Sequence, residues 1–462
     1  MYLSKFFISN CAIFILCVLV SVVTCQNERT FKNVVIKVTS KKTPQKANKL
    51  LINSNNLLQV LATYNTDIYD TIKIENANIP VIHRGAFKDV NLSQLIISDT
   101  NLLELKAGAF EGLQKVEALV ISENQLQIIK KDVFTNLTIH KLYLDSNNIV
   151  LVESGSFDGM QHLTTVVLSI NAIKVVKKGT FKDLNELLSV RMDFNKIETI
   201  EEGAFQNLPK LHRIDLDNNM IKRVEAESFV QLPLLVVLLL ETNSLEYVSL
   251  ENLDSLRVLW IHDNKLKSLD MGMLDRLKSI SKLNATDNEI STLEGIAQRG
   301  LNMVYLDLSF NKIVDVPHGV FNGSKIENLK LNNNKIETIS PTALRSSQIQ
   351  NLYLQENQIT KILRGTFSDM DTVHLDLNDN KIVQIEAESF ANSTFQEIYL
   401  DRNKLTSVGK GVFDNVKVSF VSILKNDGVN ERAFNNVSNL FHSNGNRVDQ
   451  SGRKDAVILD IK

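Results

Sequence analysis

Cysteine is missing from this chain after residue 25. The three that occur, Cys11, Cys17 and Cys25, all lie at the start. The rest of the chain therefore offers no disulfide framework and no thiolate metal site. Charge of one sign is also missing: the formal net charge is −2, which argues against bulk attraction to nucleic acid. Beyond the first 25 residues no apolar run reaches the roughly 18–20 residues needed to span a bilayer. Leu232–Leu240 (LPLLVVLLL) is too short. The C-terminus, DAVILDIK, lacks the hydrophobic tail of a lipid-anchor signal. There is no nucleophile motif, phosphate loop or HExxH zinc motif. The eight histidines are scattered at no ligand spacing, and no loop has the ligand spacing of a calcium site. The expectation is a chain that is not an enzyme and holds no cofactor or metal.

The start of the chain has its own character. Lys5 gives a positive n-region, Phe14–Val23 (FILCVLVSVV) an apolar run, and Val23 and Cys25 are small enough for a cleavage site. Residues 1–25 are expected to be a secretory signal peptide, with the mature chain starting near Gln26. From Arg29 to Thr66 there is no acidic residue, while Arg29, Lys32, Lys37, Lys41, Lys42, Lys46 and Lys49 are present. This stretch reads as a solvated cap, with contact to a polyanion as the alternative. Within it Phe31–Val38 (FKNVVIKV) can form a strand over the open end of the core.

What is present instead is a repeat. Ile139–Phe157, IHKLYLDSNNIVLVESGSF, follows the pattern L-x-x-L-x-L-x-x-N-x-L, then Gly155 and Phe157. Leu142 and Leu144 alternate with period two, the mark of a short strand with one buried face. Asn147 has donors and an acceptor for the backbone of the turn that follows. The asparagine position recurs every 21 to 24 residues from Asn55 to Asn426, and fifteen of its occupants are asparagine. Ala77 and Thr100 are the exceptions. Ten residues on stands a ring: Phe87, Phe110, Phe134, Phe157, Phe181, Phe205, Phe229, Phe321, Phe367, Phe390 and Phe413, with Leu253, Leu274 and Leu344 as substitutes. Phe434 comes two places early, where the array is expected to decay. One such coil cannot fold alone, so the array is the folding unit.

The segments RGAFKDV (Arg84–Val90), AGAFEGL (Ala107–Leu113) and EEGAFQNL (Glu201–Leu208) resemble the typical class of extracellular leucine-rich repeats, found in Toll-like receptor ectodomains and in chaoptin. The resemblance implies an α/β solenoid: a horseshoe with a parallel concave β-sheet and an irregular or short-helical convex side. It covers roughly residues 50–436. Two departures are the lack of cysteine-clustered caps and of a membrane span with a signalling domain. The expected organisation is signal peptide 1–25, N-terminal cap 26–49, repeat array 50–436 and C-terminal cap 437–462, ending in a strand at Val457–Ile461.

The residue between the two strand leucines points away from the core. Coil by coil that position holds Lys73, Ile96, Val120, Tyr143, Val167, Arg191, Asp215, Leu239, Trp260, Asn284, Asp307, Lys330, Tyr353, Asp376 and Tyr399. Ile96, Val120, Tyr143 and Val167 form an unbroken apolar run, and Leu239 with Trp260 a second spot. Exposed apolar patches and aromatic residues mark partner sites, although β-propensity alone also favours such residues in strands. Six N-x-S/T sequons occur, at Asn91, Asn136, Asn284, Asn322, Asn392 and Asn436. Only Asn284 falls on the concave face. The expected function is that of a secreted, extracellular, non-enzymatic recognition protein whose concave face binds a protein or a glycan. The alternative is a matrix or adhesion component acting by self-association, a homodimer included.

Overall fold

The protein is described from a computed structural model. It describes residues 71–426 apart from 89, 115, 135–136, 270–271 and 295–299, together with the strand Val35–Thr39, positions 434 and 437, and short strands between 439 and 455. The first asparagine position, Asn55, the expected signal peptide and the expected strand at Val457–Ile461 lie outside the described residues.

Period-two alternation in the sequence becomes a strand once per coil. Thr71–Glu75 and Gln94–Ser98 each bury their second and fourth residues and leave the others partly open. Every strand of the main sheet from Thr71–Glu75 to Lys417–Ser422 pairs in parallel with the next, buried Leu, Ile or Val opposite buried Leu, Ile or Val. Parallel pairing follows from the solenoid path, because each coil returns to the sheet travelling the same way. Val35–Thr39 pairs antiparallel with Thr71–Glu75. At the other end Asn439–Phe441 continues the sheet in parallel, and Arg447–Asp449 and Lys454–Asp455 turn antiparallel. Reversed strands thus flank both ends of the stack, where the last coil would otherwise present an open edge.

The sheet has two halves. From Ala118–Val120 to Lys282–Asn284 its strands are three residues long. From Asn302–Asp307 to Lys417–Ser422 they are six. In that second half a small hydroxyl stands just before three of the six strands: Ser324, Ser347 and Ser393 are all buried. Ser324 Oγ accepts the N–H of Leu301 at 3.0 Å, and Ser393 Oγ that of Met370 at 2.9 Å. These bonds replace a buried leucine with a backbone tether and bring the chain straight into the sheet.

Inside the coils the ring residues stack. Phe87, Phe110, Phe134, Phe157, Phe181, Phe205 and Phe229 form one column, with neighbouring centroids 5.1 to 6.3 Å apart. Leu253, Leu274 and Leu344 are buried where rings are absent. Phe367, Phe390 and Phe413 resume the column. Phe434, expected to fall out of register, instead packs tilted against Phe413 at 5.4 Å and is buried. The convex side is made of turns and two-residue strands such as Val175–Val176 beside Thr199–Ile200. Helix is short where it is described: Ala226–Ser228 and Met273–Arg276, with position 434 also in a helical turn.

Candidate binding surface

The register fixes which side chains share the concave face. Lys73, Ile96, Val120, Tyr143, Val167, Arg191, Asp215, Leu239, Trp260, Asn284, Asp307, Lys330, Tyr353, Asp376 and Tyr399 are successive strand partners, and Ser422 extends the column. Ile96, Val120 and Tyr143 are half-buried there, and Trp260 is exposed, its ring edge-on to His262 at 5.9 Å. Val167 and Leu239 depart from the expected open patch. They are only 8% and 7% exposed. Neighbouring strands stand about 4.8 Å apart, so long side chains on both sides roof over a short one. Val167 lies between the longer Tyr143 and Arg191, and Leu239 has the longer Trp260 on one side and the buried Asp215 on the other.

Charge occupies the middle of the face. Arg213 Nε is 2.7 Å from Asp215, and Arg191 Nε bridges Asp215 at 3.4 Å and Asp193 at 3.6 Å. Ser169 Oγ donates to Asp193 at 2.5 Å. Beside them Glu241 is pushed up to about 7, first by burial and then by the carboxylates of Asp217 and Asp215. One of its oxygens is buried without a hydrogen-bond partner.

The C-terminal half carries a second outward column that the one-residue-per-coil reading missed. Tyr305, Asn328, Asn351, His374, Glu397 and Phe420 are strand partners, two residues ahead of the first column. The three-residue strands continue it, because their first and third residues both face outward: Lys282 is the strand partner of Tyr305, and Val258, Val237 and Arg213 follow in line. The signal in the sequence was the period-two alternation itself, which puts an outward residue on each side of the buried strand leucine. Tyr305 donates its O–H to Asp307 at 2.5 Å, and Lys330 Nζ lies 3.3 Å from Asp307 and 5.0 Å above the Tyr305 ring. Burial, then Asp307, raises the Tyr305 hydroxyl above its ordinary value. Further along, His374 sits 5.3 Å from Tyr353 and 5.0 Å from Tyr399, and Tyr399 is 5.3 Å from Phe420. Glu397 accepts the Tyr399 O–H at 3.1 Å and meets His374 Nδ1 at 3.3 Å. Burial, then the Glu397 charge, pushes Tyr399 up to about 12.

The sequons separate by position. Asn284 is half-buried on the concave column between Trp260 and Asp307, its Oδ1 accepting the N–H of Thr286 at 3.2 Å. Asn322 and Asn392 are exposed off the sheet, and Asn91 is half-buried in a bridge to Gln114. Asn136 and Asn436 lie outside the described residues. Sequence reasoning also missed a ridge on the rim. The residue before each ladder asparagine has positive φ, and at three coils it is apolar: Ile170, Phe194 and Phe310, each more than half exposed.

A recess of about 720 Å³ opens by Val304 and is lined by Arg257, Lys278, Met303, Lys325 and Gln348. Glu327 places one carboxylate among these cations. Among the described residues no group of three histidine, cysteine, aspartate or glutamate side chains is placed to hold a metal. No described helix is long and apolar enough to cross a membrane.

Comparison with known proteins agrees with this geometry. The BspA type leucine-rich repeat region matches residues 54–164, 80–210 and 314–441, and a leucine-rich repeat pattern matches 186–245. No curated protein matches the chain. Among solved structures, the Toll–Spatzle complex of Drosophila is similar at 22% identity and a TM-score of 0.57, over 73% of this chain and 47% of that one. Its glycosylated form gives 20%, 0.55, 73% and 48%. The LRIM1/APL1C complex gives 18%, 0.49, 74% and 59%. The match thus spans about half the length of the Toll chain. At these identities the likeness is one of fold.

Proposed function

The chain belongs to the leucine-rich repeat family, and from that premise we propose that it is a secreted, non-enzymatic recognition protein whose concave face binds a protein partner. One observation carries the reading. The strand register lines up an open, side-chain-covered sheet in which half-buried Ile96, Val120 and Tyr143 and exposed Trp260 stand among charged neighbours. Aromatic and apolar anchors inside a polar surround are the usual anatomy of a protein contact. The fold likeness to Toll, solved with Spatzle, supports a protein over a glycan. Secretion is supported by the signal-peptide pattern of residues 1–25, with 26–49 and 437–462 as caps around the array 50–436. Of the apolar residues, Tyr143 and Trp260 offer area to a partner, while Val167 and Leu239 act by supporting them. A glycan on Asn284 borders Trp260 on the adjacent strand, leaving the Ile96–Tyr143 end open.

Self-association is the competing reading, and the reversed strands at both ends of the sheet weigh against edge-to-edge stacking. The test is a pull-down from extracellular fluid followed by titration of the captured partner. Tyr143→Asp is expected to weaken binding by more than about 2 kcal/mol, and Asn284→Gln to leave it intact or widen it. Normal binding by Tyr143→Asp, together with loss of binding when a charge is placed on a convex loop, would reduce the sheet face to scaffold.

A further inference from the structure

Three aspartates stand on the concave column: Asp215, Asp307 and Asp376. Two are matched by cations of this chain. Asp215 has Arg213 at 2.7 Å and Arg191 at 3.4 Å. Asp307 has Lys330 at 3.3 Å, and the same ammonium lies 5.0 Å over the Tyr305 ring. Asp376 differs. Its Oδ1 accepts the N–H of Asn378 at 2.9 Å. Among the described residues no lysine, arginine or histidine forms an ion pair with it: nearby Arg402 is held by Asp379 and His374 by Glu397.

The surroundings of Asp376 suit the missing cation. Tyr353 and Tyr399 are its strand partners on either side. His374, two residues earlier, lies within 5.3 Å of both tyrosine rings. Glu397 adds a second carboxylate beside the rings. Burial pushes the Asp376 carboxyl above its ordinary value. Aromatic faces attract ammonium and guanidinium groups, and a carboxylate beside them supplies the opposite charge. Tyr305, Asp307 and Lys330 are the same chemistry with the cation supplied from within.

The geometry points to Asp376, framed by Tyr353, His374 and Tyr399, as a receptor for a lysine or arginine side chain of a protein partner laid along the concave face. The inference rests on the recognition reading and specifies the partner's chemistry. A neutral sugar brings no charge to this site, and a sulfated glycan would meet two carboxylates.

The test titrates an amidated hexalysine peptide into the purified chain and its variants by calorimetry. Wild type is expected to bind. Asp376→Asn keeps an acceptor for the Asn378 N–H and is expected to bind about tenfold more weakly, with a melting temperature no lower than wild type. Tyr399→Leu removes a ring without touching the carboxylate and is expected to weaken binding as well. Asp254→Asn, which breaks only the remote pair with Lys278, is expected to bind as wild type. Two results overturn the inference: no binding by wild type, or equal binding by wild type, Asp376→Asn and Tyr399→Leu. Either result alongside loss of partner capture by Tyr143→Asp would sink the cation site alone. A Tyr143→Asp variant that captures its partner normally, with peptide binding still dependent on Asp376, would sink the N-terminal contact alone.

Discussion

Asn195 Oδ1 accepts the backbone N–H of Ile173, 3.0 Å away and 22 residues earlier, on the preceding coil. Its Nδ2 donates to Leu168 O on that same coil at 2.9 Å, and to Met192 O and Asp193 O of its own turn at 3.1 and 3.3 Å. The carboxamide is therefore a rivet between two coils as well as a clasp for one. The same set recurs at Asn147, Asn288, Asn334 and Asn403. Phe194, just before it, holds the left-handed conformation that turns the chain, with φ 53°.

Asn195→Ala leaves the Ile173 N–H without this acceptor, while Leu168 O keeps the Nδ2 donor of Asn171 at 3.0 Å. A buried group left unmade costs about 1–3 kcal/mol, and a loss of that size in urea unfolding is expected. An unchanged unfolding midpoint would show that the riveting bonds carry no net stability.

The ring column predicts a graded response. Phe205 lies between Phe181 at 5.1 Å and Phe229 at 5.4 Å. Phe205→Ala opens a cavity and is expected to cost about 3–5 kcal/mol. Phe205→Leu is expected to cost only about 1–2 kcal/mol, because Leu253, Leu274 and Leu344 already fill this position in other coils. Equal losses from both would mean that ring stacking, rather than filled volume, holds the column.

Glu241 makes the centre of the concave face sensitive to pH. Burial first, then Asp217 and Asp215, lift its carboxyl from 4.5 to about 7, with Arg213 opposing. A raised carboxyl pKa favours the fold while the group is protonated. That contribution is fully present below about 4.5 and is lost as pH rises through about 7. Glu241→Gln is thus expected to stabilise at pH 8 by about 1–2 kcal/mol, allowing for partial solvent screening, and to be neutral near pH 4. Melting curves at the two values decide it, and a gain of the same size at both would remove titration as the cause.

The sequence alone determined the period, the parallel sheet, the asparagine and ring positions, and which residue of each coil faces outward. These are local consequences of a repeat: side chains alternate along a strand, and each coil meets the next at a fixed lag. Tertiary structure decided how much of each outward residue a partner can reach. Val167 and Leu239 face the right way and yet are covered, because accessible area depends on what stands on the adjacent strands. The second column, with Tyr305, His374 and Phe420, takes its character from contacts across coils, His374 against Tyr399 and Tyr399 against Phe420. The rivet from Asn195 to Ile173 and the packing of Phe434 against Phe413 are contacts between coils. A pattern read within one coil names the atoms available, and only the stacking of coils fixes which of them meet.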